Sequence, residues 1–126
     1  VSKKILPILR KIVTTKEGTA SLANVEGYEV GGKTGTAQKS TGGIYTNKKI
    51  NSFVSVFPTS NPKFVLAIML DEPKTNADYI YHYRDGSNIK YKGTPFNTAG
   101  WTTVEVTGQI LEKIGPILAT KYNKIN

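Results

Sequence analysis

The chain has no cysteine, one methionine, one tryptophan and one histidine in 126 residues. Without cysteine there is no disulfide and no thiolate metal site, and the redox compartment is left undetermined. Neither a metal nor a cofactor is expected. Arginine is nearly absent as well: two Arg stand against fifteen Lys, and the lysines are spread along the chain. Base readout and bidentate phosphate contacts favour Arg. The net charge of +8 therefore reads as a solvated cationic surface, and no nucleic-acid partner is expected. Attraction to an anionic membrane surface or wall polymer stays open. Long apolar runs are missing too. The longest, Phe64 to Leu70, is far too short to cross a bilayer. No signal peptide is visible, and the start at Val1 reads as a segment of something longer.

What is present is ordinary globular composition, 38% hydrophobic and 21% charged. Residues 1–126 are about one domain long and show no internal boundary. Ile5, Leu6, Ile8, Leu9, Ile12 and Val13 recur at helical spacing, so Lys3 to Thr15 predicts an amphipathic helix with one face on a core. Pro7 fits it only near the first turn. Thr19 to Glu26 reads as a connection. Tyr28 to Gln38 suggests a strand, and Gly31, Gly32 and Gly35 within it mark close approach by a ligand or another backbone. Ser40 to Gly43 is a turn. Lys49 to Phe57 and Lys63 to Leu70 predict two further strands, joined by the turn chemistry of Pro58 to Pro62 into an antiparallel hairpin. Tyr79, Tyr81 and Tyr83 alternate before Asp85-Gly86, and Ile89 and Tyr91 supply a return strand. That stretch predicts a small β-ribbon or long loop, its tyrosines packed beneath it or facing a substrate. A last helix runs from about Thr103 to Lys121, with Thr102 and Glu105 at capping-box spacing. Its apolar face is Ile110, Leu111, Ile114, Ile117 and Leu118, and Pro116 should kink it. The order helix, three antiparallel strands, helix predicts an α+β fold.

The sharpest motif is Gly31-Gly-Lys-Thr-Gly-Thr-Ala-Gln38. Gly27 to Thr34 satisfies the G-x-x-x-x-G-K-[ST] phosphate loop letter for letter, and Asp71 after an apolar strand even resembles a magnesium-binding acid. Context argues against that reading. A phosphate loop follows a buried strand and opens a helix, whereas Thr19 to Glu26 is not apolar and Gly35, Ser40, Gly42 and Gly43 follow. The alternative is the K-[ST]-G strand of penicillin-reactive serine acyltransferases, which belongs on an extended segment lining a cleft.

The run Gly27-Tyr28 through Gly32-Lys-Thr-Gly-Thr-Ala-Gln38 resembles class B penicillin-binding proteins, especially the cell-division transpeptidase. The likeness continues through Ser52-Phe-Val, Phe57-Pro, Asn61-Pro62, Asp71-Glu-Pro73, Thr98-Ala-Gly-Trp101 and the helix Thr107 to Leu118. Two departures stand out. Ser55 sits where the family often has glycine, and Thr103 to Glu105 replaces the usual Ala-Pro-containing start of the last helix. The resemblance implies part of a β-lactamase-like transpeptidase fold and acyl transfer from D-Ala–D-Ala stem peptides of peptidoglycan, with β-lactams as inhibitors. It also implies a membrane-anchored parent on the extracytoplasmic face, working with division or elongation machinery. Carried over residue by residue, Lys33 would supply charge beside the nucleophile, and Thr34 and Thr36 would hold the substrate carboxylate. Gly35 would permit close approach, and the Thr36 N–H would serve as an oxyanion donor. Strict alternation, however, sends Lys33 to the face opposite Thr34 and Thr36. One cleft can use all three only along the strand edge or where the glycines twist the strand.

No S-x-x-K nucleophile motif is recognised anywhere in the chain, and no S-x-N loop ahead of Lys33, where the family carries both. The chain is therefore expected to begin after them and to be inert alone. A standalone carboxylate- or peptide-binding module remains an alternative. The strand expected at Lys63 to Leu70 would lack its outer neighbour, so the isolated chain is expected to pair edge to edge, most simply as a two-fold dimer.

Overall fold

The computed structural model describes residues 1–93 and 96–122. Helix α1 spans Ser2–Thr14, and strands β1 (Gly31–Thr41), β2 (Ile44–Phe57) and β3 (Phe64–Asp71) form one antiparallel sheet in the order β1-β2-β3. A two-stranded ribbon follows, β4 (Ile80–His82) against β5 (Lys90–Lys92), and helix α2 (Thr103–Tyr122) closes the described chain. Short 3-10 turns lie at Ser21–Ala23 and Ala99–Trp101. The α+β arrangement and all three strands are those the sequence predicts.

Burial alternates along β2: Asn51, Phe53, Ser55 and Phe57 are buried while Val54 is exposed. Their partners Leu70, Ile68, Leu66 and Phe64 on β3 share that face, as cross-strand pairs must. Phe53 is fully buried at its centre, among Val13, Leu22, Val30, Val104 and Leu111. The opposite face carries the exposed Val54, Val65 and Met69. Among the described residues β3 takes ladder bonds from β2 alone.

Several expectations are corrected. The β1–β2 hairpin is longer than its alternation suggests. Thr41 pairs with Ile44 across Gly42-Gly43, whose φ values of 59° and 80° give the two-residue turn with left-handed backbone at both positions. The turn expected from Ser40 thus shrinks to two glycines. A register shift between Gln38 and Ser40 releases Lys39 to bridge Asp71 at 3.0 Å and Glu72 at 2.8 Å. Pro7 lies past the first turn of α1, where it removes the N–H that would reach back to Lys3. Only part of the expected apolar face of α1 is covered: Val13 is buried, but Ile5 and Ile8 are exposed.

The face of α2 is corrected too. Val104, Thr107, Gly108, Leu111 and Gly115 are buried, while Ile114 and Ile117 point out. Small residues win because neighbours press close. A Cβ on Gly115 would stand 2.5 Å from the Tyr28 ring, and one on Gly108 would stand 2.6 Å from the Leu22 carbonyl. Helix α2 runs on through Pro116. No capping box forms, since the Glu105 carboxylate is taken by Arg84 and Thr102 Oγ1 donates to the Thr98 carbonyl.

Candidate active site

Strand β1 is an edge strand, so every second residue turns its N–H and C=O away from β2. The Val30 and Thr34 carbonyls share one parity and take side-chain donors, Arg10 Nη1 at 2.7 Å and Lys33 Nζ at 2.7 Å. That parity, which includes Thr36, faces the open edge. Side chains divide as alternation requires. Thr34 and Thr36 pair with buried Phe53 and Asn51 and share their face, whereas Lys33 pairs with exposed Val54 on the other. The long stem of Lys33 brings its ammonium back to the edge at the Thr34 carbonyl. The lysine thus reaches the edge backbone, while the neighbouring cavity is bordered by the threonines and not by Lys33.

The threonines border a cavity of about 470 Å³, together with Lys16, Thr19, Thr98, Tyr83 and Trp101. Thr36 Oγ1 accepts the Ala99 N–H at 3.0 Å. A hydroxyl has one donor and two lone pairs, so the Thr36 O–H stays available. Thr34 and Thr19 hydroxyls lie 2.8 Å apart. One donates to the other, which leaves one O–H of the pair unspent. The Lys33 ammonium keeps two of its three donors. The cleft is therefore rich in unspent donors along an open strand edge.

Three glycines make this packing possible, chiefly by admitting the chain's own atoms. A Cβ at Gly31 would meet the Arg10 backbone nitrogen at 3.0 Å, at Gly32 the Phe53 ring at 2.7 Å, and at Gly35 the Ser52 hydroxyl at 2.7 Å. The phosphate-loop reading is overturned. Lys33 and Thr34 stand inside a strand that runs on to Thr41, so no helix N-terminus follows to receive a phosphate.

The family model described as penicillin-binding protein transpeptidase domain matches residues 1–89. The chain belongs to that family. It is 34% identical over 128 residues to a probable peptidoglycan D,D-transpeptidase FtsI of Caulobacter vibrioides, covering 95% of this chain and 19% of that protein. It is 47% identical over 74 residues to the stage V sporulation protein D of Bacillus subtilis, covering 58% of this chain and 11% of that protein. Among solved structures, the apo transpeptidase domain of Burkholderia pseudomallei penicillin-binding protein 3 superposes with a TM-score of 0.66 at 30% identity. That match covers 92% of this chain and 29% of the other. The chain thus spans less than a third of the length of these relatives.

Within this transpeptidase-family chain the serines need a correction. Two letter matches to S-x-x-K do occur, Ser60-Asn-Pro-Lys63 and Ser87-Asn-Ile-Lys90, both after the Lys-Thr-Gly strand. Neither is helical, so neither sets its lysine beside its serine as one helical turn would. Ser60 is instead spent on the Glu29 carboxylate, to which its hydroxyl and N–H both donate, and those bonds hold the Glu29 carboxyl below its usual range. Ser87 sits in the ribbon turn, where its hydroxyl accepts the Ile89 N–H at 3.4 Å.

The ribbon beside the cleft holds what local patterns missed. Tyr81 is buried, its ring 4.7 Å from that of Tyr79 and 5.1 Å from that of Trp101, so these tyrosines pack rather than project. Beneath them Arg84, 8% exposed, forms a bidentate pair with Glu105, 4% exposed, at 2.8 and 2.9 Å. Burial opposes the Arg84 charge, but bonds to Glu105 and Glu112 outweigh it and push its pKa above the ordinary value. Burial, reinforced by a 2.9 Å hydrogen bond to Glu105, pushes the Tyr79 phenol up to about 12. The one available signal was Glu105 itself, standing where the family pattern differs. Among the described residues no group of acidic, histidine and cysteine side chains could hold a metal, and no helix is long and apolar enough to cross a membrane.

Proposed function

We propose that this chain forms one wall of the active site of a serine D,D-transpeptidase that crosslinks peptidoglycan and is acylated by β-lactams. The observation that carries this is the unspent O–H of Thr36 together with the one left over between Thr34 and Thr19, on an open strand edge whose backbone the Lys33 ammonium reaches at the Thr34 carbonyl. A D-Ala–D-Ala peptide offers a terminal carboxylate for such donors and an amide that can lie along the edge as an added strand. Thr34 and Thr36 bind the carboxylate, and Gly35 permits close approach to the strand. The Thr36 N–H, of the parity facing the edge, donates to the oxyanion that forms as a serine oxygen adds to the carbonyl carbon. The C–N bond then breaks, D-alanine leaves with the proton, and an acceptor amine later displaces the serine oxygen. Lys33 assists by favouring deprotonated forms of neighbouring groups. None of the described serines has the helical setting of an S-x-x-K nucleophile, so in this reading the nucleophile belongs to other residues of the whole protein. The reading also implies an anchored envelope protein outside the inner membrane, working with division or elongation machinery.

Labelling with a fluorescent penicillin tests it. The full-length protein should take the label, Lys33→Ala should not while remaining folded, and the 126-residue chain alone should show no adduct by intact mass. Normal labelling of folded Lys33→Ala removes the lysine from the chemistry. Binding of a stem peptide without labelling of the full-length protein would instead favour a carboxylate-binding module.

A further inference from the structure

Tyr83 and Trp101 border the same cavity as Thr34 and Thr36, yet neither lies on the sheet. Tyr83 follows β4, and Trp101 ends the 3-10 turn before α2. Arg84 ties both places together. Its guanidinium grips Glu105 through two nitrogens, reaches the Leu22 carbonyl at 3.2 Å and lies 2.9 Å from the Glu112 carboxylate. Its own carbonyl accepts the Glu26 N–H at 2.9 Å. The residue next to Tyr83 is thereby pinned at side chain and backbone alike. Glu105, in the first turn of α2, fixes the helix that starts just after Trp101. Gly108 admits the guanidinium, since a Cβ there would stand 2.9 Å from Arg84 Nη1.

A buried ion pair is a poor way to gain stability, because apolar residues of like volume often do as well or better. Its better-attested use is to fix one geometry. We propose that the Arg84–Glu105 pair is a positioning device for the cleft. It holds Tyr83 and Trp101 at the cavity that Thr34 and Thr36 border, so that noncovalent substrate binding, not the acylation step, depends on it. This rests on the transpeptidase reading above.

The test is stopped-flow acylation of the full-length protein by a penicillin over a concentration series, which separates the dissociation constant of the noncovalent complex from the limiting rate. The variants are Arg84→Met/Glu105→Leu, which removes the pair without stranding a charge, Tyr83→Ala, and their combination. The double variant should raise the dissociation constant on the order of tenfold, the scale of coupling within one network, with the limiting rate unchanged. Tyr83→Ala should then add less to the double variant than to the wild type. An unchanged dissociation constant in a folded double variant, a fall confined to the limiting rate, or full additivity overturns the proposal. If the double variant does not fold, Arg84→Lys keeps the charge and loses the fork. A raised dissociation constant in it supports the proposal, and an unchanged one sinks it. A wild-type protein that takes no penicillin fails earlier, at the transpeptidase reading, and carries this inference down with it.

Discussion

Thr36→Val is the most informative single change, because the structure gives the Thr36 hydroxyl two separable tasks. It accepts the Ala99 N–H at 3.0 Å, which ties β1 to the turn before α2, and its own O–H remains available to a ligand. Valine keeps the shape and loses both. The lost tie should cost about 1 kcal/mol of stability, the usual net value of a neutral hydrogen bond. Losing the donor to a substrate carboxylate should cost about 1–3 kcal/mol, the price of leaving a polar group unpaired. That corresponds to roughly 5- to 150-fold in the second-order acylation constant. The backbone N–H of residue 36 survives the substitution, so the limiting acylation rate should hold and the loss should fall on binding. Thr36→Ser restores a hydroxyl and should recover both properties. The assay is penicillin acylation of the full-length protein, run beside a thermal melt of each variant. A lowered melting temperature with an unchanged acylation constant would show that the hydroxyl serves only the Ala99 tie, and the carboxylate role would be refuted.

Gly115→Ala should destabilise the protein by about 1–3 kcal/mol, the range for overpacking, because its Cβ would stand 2.5 Å from the Tyr28 ring; an unchanged denaturation midpoint would contradict the close packing of α2 on Tyr28. The Tyr79 phenol, pushed up to about 12, gives a signed pH dependence. The folded state holds this proton more tightly than the unfolded chain, whose tyrosine loses it near pH ~10. Its stabilising contribution is thus fully present below pH ~10 and is lost as pH rises through about 12, so Tyr79→Phe should flatten the alkaline limb of a denaturation-midpoint profile. The 126-residue chain alone should self-associate through the open edge of β3, and light scattering that returns a clean monomer at high concentration would refute this.

Which parts of the molecule could be read from sequence follows from the range of the forces involved. The strands β2 and β3 were legible because apolar strand-forming residues run through Lys49 to Phe57 and Lys63 to Leu70 on either side of a turn, although the alternation of their burial is not written in residue type. The far end of the β1–β2 hairpin was not, because Thr41, Ile44 and Tyr45 are exposed and no core demands alternation there. Only the backbone requirement of the Gly42-Gly43 turn records that end. On α2 the large apolar residues suggested one face, but contact is set by how near the neighbours come, and the glycines mark it instead. Glu105 shows the limit most clearly. A glutamate three residues after Thr102 satisfies a local rule for a helix start, yet its carboxylate is claimed by an arginine 21 residues earlier in the chain. Two charged groups that are each buried must satisfy one another, whatever lies between them in sequence. Nothing in the spacing of Arg84 and Glu105 announces this. Had Glu105 been only a cap, it would have cost little to replace. As the partner of a buried guanidinium it should cost about 3–5 kcal/mol when changed alone, the range for breaking a buried pair, and much less when Arg84 is replaced with it. Chemical denaturation of Glu105→Leu against Arg84→Met/Glu105→Leu decides between the two readings, and a single variant no less stable than the double would return Glu105 to the role of an ordinary helix-start residue.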